Sequence, residues 1–151
     1  MVHSIEKLDD TAQVKVAGRP SEKFERVGLS VAARLARGFY VFLSSALAGG
    51  LLLQVFFAGM GAFGADWSYH VTLAHSLGFL PLLLVPAAFV ARLPWALRLL
   101  PLGLVVLIGA QYALAHSVVP AAALHPVNGF LILMTSLVIA RRSWAAGRRR
   151  G

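Results

Sequence analysis

Between positions 38 and 140 only three side chains are charged, Asp66, Arg92 and Arg98, and they cut one apolar tract into lengths of about twenty residues. An α-helix needs ~20 residues to cross ~30 Å of hydrocarbon, so the pattern predicts four spanning helices, over residues 38–63, 69–90, 99–119 and 120–140. Transmembrane strands would show apolar and polar residues alternating over ~10 positions, and no such alternation is present. The breaks have local causes. Gly64-Ala65-Asp66-Trp67-Ser68 supplies a glycine stop, an Asp or Ser N-cap and an interfacial tryptophan, while Pro94 and Pro120 mark the next two helix starts. The fold class expected is all-α, a four-helix transmembrane up-and-down bundle spanning residues 38–142.

Composition agrees with the pattern. The 151 residues are 58% hydrophobic and 13% charged, against about a quarter charged in a soluble domain. With no cysteine, a disulfide scaffold, iron–sulfur clusters, thiolate zinc sites and covalently attached c-type heme are excluded. The formal charge of +8 would suit a nucleic-acid partner if it formed a soluble basic face, but its placement argues for no nucleic acid. Arg34 and Arg37 precede the first span, Arg92 and Arg98 lie between the second and third, and Arg141, Arg142, Arg148, Arg149 and Arg150 follow the fourth. The positive-inside rule then puts both termini in the cytoplasm of a multi-pass cell-membrane protein, the plasma membrane of a bacterium, with the Asp66 loop and Pro120 turn outside. The basic tail, residues 143–151, suits anionic lipids. Residues 1–20 read as a disordered cytoplasmic segment without the apolar core of a signal peptide. Residues 21–37 space Phe24, Val27, Val31 and Leu35 by three and four, the pattern of an interfacial amphipathic helix, with a solvated linker as the alternative.

Polar groups inside a membrane cost free energy unless partnered, so the few present are informative. Measured from the arginine bounding each span, Gln54 lies 17 residues beyond Arg37, His75 17 before Arg92, His116 18 beyond Arg98 and His125 16 before Arg141. At ~1.5 Å per residue, all four fall roughly 24–27 Å from the basic boundary, one per helix. His70, five residues from His75, points about 140° away from it and reads as interfacial. Small residues share these faces: Gly50, Ala58 and Gly61 with Gln54, Gly78 with His75, Gly109 and Ala113 with His116, and Gly129 with His125. They serve either close helix packing or room for a flat macrocycle. A weak duplication is also visible, Gln54-Val-Phe-Phe-Ala-Gly with Gln111-Tyr-Ala-Leu-Ala-His, and His75-Ser-Leu-Gly with His125-Pro-Val-Asn-Gly.

Several chemistries fit this layer. In an up-and-down bundle the second and fourth helices are diagonal, so His75 and His125 are the candidate axial ligands of a noncovalent heme b serving electron transfer, with no open coordination position. Gly78 and Gly129 would leave room for the ring. Gln54, Gln111 and His116 would hydrogen-bond a ligand nitrogen or a propionate, and Ser76 or Asn128 would fix a histidine tautomer. Trp67, Tyr69 and Tyr112 are placed for edge packing or as interfacial aromatics. A three-histidine zinc or copper site from His75, His116 and His125, or a quinone or proton site, uses the same residues. The alternative is an accessory or structural membrane protein whose histidines and glutamines are interhelical hydrogen-bond partners, with a redox or membrane-protein partner left unspecified. Asp66 is the only acid after the N-terminal tail, and no Ser-His-Asp order or phosphate loop appears, so no catalytic residue is assigned.

The run Gln54-Val-Phe-Phe-Ala-Gly-Met-Gly-Ala-Phe-Gly, followed by Trp67, His70, His75, Gln111-Tyr and His125-Pro-Val-Asn-Gly, resembles a family of small bacterial four-helix membrane proteins of unknown function. The resemblance covers residues 38–142 and implies an integral membrane protein without assigning an activity. A glutamine in one helix and a histidine in the next, twice over, is more distantly similar to the halves of heme A synthase. That likeness implies heme ligation by His75 and His125, although this chain has half the helices and no comparable outer loop.

Overall fold

The computed structural model describes residues 30–148, and every described regular element is helical. The helices are α1 (Val31–Ala62), α2 (Ser68–Gly78), α3 (Leu80–Val90), α4 (Trp95–Ala115) and α5 (Leu124–Arg148), with one 3-10 turn (Ala121–Ala123) leading into α5. α2 and α3 together form the second of four spans long and apolar enough to cross a membrane. The expected residues 1–20 segment, most of the predicted 21–37 helix, and Arg149 and Arg150 lie outside the described residues.

α1 starts earlier than hydropathy alone predicts, because the Ser30 hydroxyl accepts from the Ala33 backbone N–H at 3.2 Å and caps it. At ~1.5 Å per residue its 32 residues measure about 48 Å. That exceeds the ~30 Å hydrocarbon layer and leaves the turns bearing Arg34 and Arg37 beyond it. α5 likewise continues through Ser143 to Arg148, so the part of the predicted basic tail that is described is helix. Between α1 and α2, Gly64 takes φ +98°, a left-handed conformation that favours glycine. Asp66 accepts from the Ser68 N–H and hydroxyl to start α2. The second span breaks at Phe79 because Pro81 has no N–H to give and its ring opposes the carbonyl four residues earlier, that of Leu77. The Leu82 N–H turns instead to Phe79 O at 3.1 Å. Pro94 opens α4 at its N-cap, and Pro120 stands in the α4–α5 turn after a cis Val119–Pro120 bond.

Each span packs on its sequence neighbours and α5 closes back on α1, giving the expected up-and-down bundle. The core is concentrated at the arginine-bearing end: Tyr40, Leu43 and Leu47 of α1, Leu84 and Ala88 of α3, Leu97 and Leu104 of α4, and Ile132 and Ile139 of α5. Tyr40 is fully buried and its hydroxyl donates to Leu97 O at 2.8 Å. Small residues let α1 and α5 approach here. The Ser44 and Ser143 hydroxyls lie 3.0 Å apart, and Trp144 Nε1 donates to the Ser45 hydroxyl at 3.0 Å. The outward faces are apolar, with Phe42 67% and Val106 72% exposed. So continuous a greasy exterior is the surface of a protein solvated by lipid.

Candidate functional site

The polar layer forms at the end away from the arginines, but with partners different from those that depth alone suggests. In the first hairpin Gln54 meets His70, not His75. The Gln54 amide Nε2 donates to His70 O at 2.8 Å, and His70 Nδ1 donates back to Gln54 O at 3.2 Å. In the second hairpin Gln111 meets His125 by the same device. His125 Nδ1 donates to Gln111 O at 3.3 Å, while the Gln111 amide Nε2 donates to the ring's other nitrogen at 3.0 Å. Since a carbonyl can only accept, both rings carry their proton on Nδ1. The duplication is therefore real in three dimensions, with His70 as the counterpart of His125. Depth places residues at one height, whereas facing is decided by the 140° between His70 and His75 and by the loop that hands α1 on to α2.

The two fasteners differ in completeness. Asn128, one turn beyond His125 and buried, donates through Nδ2 to Gln111 Oε1 at 2.6 Å and to Leu107 O at 2.8 Å. No such donor reaches Gln54 Oε1, which is buried without a hydrogen-bond partner. The residue one turn beyond His70 is Leu73, which has no polar atom to offer.

His75 and His116 face outward. Each ring turns back to its own helix, His75 Nδ1 donating to Val71 O and His116 Nδ1 to Tyr112 O, both at 2.8 Å, and both residues are exposed. His75 also lies against the Tyr112 ring, with centroids 5.6 Å apart. Tyr112 is a cross-brace between α4 and α2. Its hydroxyl donates to Ala74 O at 3.3 Å and sits where a Gly78 Cβ would come within 2.8 Å. Gly129 makes room for the Gln111 amide, and Gly61 for the Trp67 indole, which meets His70 edge-on at 5.6 Å. Gly50 accommodates Leu77, while Gly109 borders open space. Gly50, Gly61, Gly78 and Gly129 thus admit neighbouring side chains, the packing role of the two considered.

The expected heme ligand pair does not fit this arrangement. His125 has both nitrogens engaged by Gln111, and His75 presents an exposed ring on the outside of α2 with Tyr112 against it. The three-histidine metal site is likewise not assembled, since among the described residues no group of three His, Asp or Glu side chains stands together to hold a metal. His70 and Asn128 are the members that depth-based reasoning underrated. The signal for His70 was the similar separation across each loop, 16 residues from Gln54 to His70 and 14 from Gln111 to His125.

Residues 54–123 match the model of a family of unknown function (DUF6220). The matched stretch runs from Gln54 through the first fastener to the 3-10 turn, stopping two residues short of His125. No curated protein and no solved structure matches the chain.

Proposed function

We propose that this chain is a non-enzymatic accessory or structural protein of the cell membrane, with both termini cytoplasmic, whose glutamine–histidine layer fastens its two hairpins at their outer ends. The observation that supports this reading is the repeated reciprocal pairing, in which each glutamine and histidine of a hairpin satisfies the other's backbone or ring. Interhelical hydrogen bonds of this kind contribute ~0.6 kcal/mol each in a membrane and up to ~1.7. Each pairing ties one helix of a hairpin to the next through a histidine Nδ1, and in the second hairpin both ring nitrogens of His125 are engaged. Orientation is supported by charge, since all seven arginines of residues 30–148 belong to the end bearing the termini, while Asp66 is at the other.

The test is a visible absorption spectrum and metal analysis of the detergent-purified full chain, oxidised and reduced, beside His75→Ala and His125→Ala. The proposal expects a folded, colourless, metal-free protein. A Soret band of stoichiometric intensity that both substitutions abolish would overturn it and restore the heme b reading. Stoichiometric zinc or copper without porphyrin bands would point to the metal alternative.

A further inference from the structure

Arg92 lies in the turn between α3 and α4, and Arg98 in the first turn of α4 beyond it. Arg98 is held in place. Its Nε donates to Leu93 O at 2.6 Å, which ties it back to the turn. Its guanidinium lies over the Phe89 ring at 5.3 Å and the Trp95 ring at 5.0 Å, and those two rings meet edge-on at 6.3 Å. Cation–π contact holds a guanidinium by its face and leaves the N–H groups at its edge to other acceptors. Among the described residues nothing accepts from the two Nη groups of Arg98, so a pair of donors is left over. Arg92 is exposed and makes no hydrogen bond or ion pair among the described residues. The only carboxylate among them is Asp66, at the opposite end of the bundle. Trp95, Leu99 and Leu102 follow one another at i, i+4 and i+7, an exposed apolar face of α4 that runs from these arginines into the membrane.

We propose that Arg98 and Arg92 bind the phosphate of an anionic phospholipid from the leaflet at the arginine-bearing end, with an acyl chain along Trp95, Leu99 and Leu102. A guanidinium binds phosphate oxygens through paired, charge-assisted hydrogen bonds. That of Arg98 is already oriented by Leu93 O and two rings, so little side-chain freedom is lost on binding. The height is right as well, because the two arginines bound the second and third spans and Trp95 is an interfacial aromatic beside them. Free phosphate would meet the arginines but gain nothing from the apolar face that continues below. A choline headgroup brings a cation of its own, and the ring faces that would receive it already hold Arg98. A lipid of net negative charge meets the guanidinium fork, the second charge and the apolar face together.

The test is native mass spectrometry of the full chain released from neutral detergent after loading with phosphatidylglycerol or phosphatidylcholine. One phosphatidylglycerol per chain should be retained, with roughly tenfold higher affinity than phosphatidylcholine. Arg98→Ala should bring the two lipids to parity, and Arg92→Ala should remove part of the preference. Trp95→Leu keeps every charge but frees the guanidinium, and should lower the preference severalfold. Arg141→Ala, an exposed arginine on α5, should leave it intact. Should Arg98→Ala lose its helical circular dichroism, Arg98→Lys, which keeps the charge without the fork, carries the same expectation of a weakened preference. Equal retention of both lipids or of neither by the unsubstituted chain would overturn the proposal. So would equal losses in Arg98→Ala and Arg141→Ala, an unchanged preference in both Arg98→Lys and Trp95→Leu, or displacement of the lipid by inorganic phosphate.

Discussion

Replacing the two glutamines of the polar layer by leucine, one at a time, should have opposite consequences. Gln111→Leu removes the amide that donates to His125 at 3.0 Å and the oxygen that accepts from Asn128 at 2.6 Å. Asn128 keeps its bond to Leu107 O, but the His125 Nε2 is left half-buried without a donor. Two membrane hydrogen bonds at ~0.6 to ~1.7 kcal/mol each give a loss of about 1–3 kcal/mol. Gln54→Leu removes one bond, to the His70 carbonyl, which sits inside α2 where the helix ladder supplies another donor. It also removes an orphaned buried oxygen, and such a group costs roughly 1–3 kcal/mol. That variant should fall between unchanged and about 2 kcal/mol more stable. The assay is reversible unfolding in mixed micelles with rising dodecyl sulfate, followed by helical circular dichroism. Since about 1.4 kcal/mol is tenfold in the equilibrium, the two variants should separate clearly. Equal destabilisation by both would refute the reasoning, because it would mean that Gln54 Oε1 has a partner or that Gln111 does not bridge His125 and Asn128.

Three further outcomes are expected. Gly78→Ala puts a Cβ within 2.8 Å of the Tyr112 hydroxyl and should cost about 1–3 kcal/mol in the same assay; adding Tyr112→Phe should recover part of the loss, and no recovery would show that the clash lies elsewhere. Arg92 holds φ +50° without being glycine, so Arg92→Gly should relieve roughly 1 kcal/mol of backbone strain, partly offset by the freer unfolded chain, and a net loss would show that the side chain contributes more than its strain. Asp66 has its carboxyl held below the ordinary carboxylate range by the Ser68 hydroxyl first and the Ser68 N–H second. Its contribution is therefore present above the unfolded value of ~3.9 and lost as pH falls through the lowered folded value. Asp66→Asn should lower stability at neutral pH and match the parent in strong acid, and a difference that persists in acid would contradict that origin.

The topology was legible because lipid demands long uninterrupted apolar runs, and three charges and three loop signals suffice to mark their ends. The break at Phe79 was legible too, in Pro81, though hydropathy treats residues 69–90 as one continuous span. Pairings within the polar layer were harder to read. Counting residues from the arginines gives only a nominal height and says nothing of which way a side chain points: the contacts set Gln54 level with His70 and His125 level with Gln111, five residues along the helix from His75 and His116 respectively. His75 and His116 bond to their own helices and face outward, whereas His70, set aside for lying farther out, closes the first hairpin. The serine contacts of α1 and α5 escaped notice because Ser44 and Ser143 are 99 residues apart and each is unremarkable in its own helix.

His70 and His125 fasten the two hairpins, each donating from Nδ1 to a glutamine backbone carbonyl. Nitrogen-15 NMR of histidine-labelled protein in bilayers, assigned with His70→Ala and His125→Ala, reads the tautomers directly. Both rings should carry a proton on Nδ1, and the His125 Nε2 signal should show an accepted hydrogen bond that disappears in Gln111→Leu. An Nε2–H tautomer at His125, or ring shifts imposed by a bound metal or porphyrin, would contradict the account.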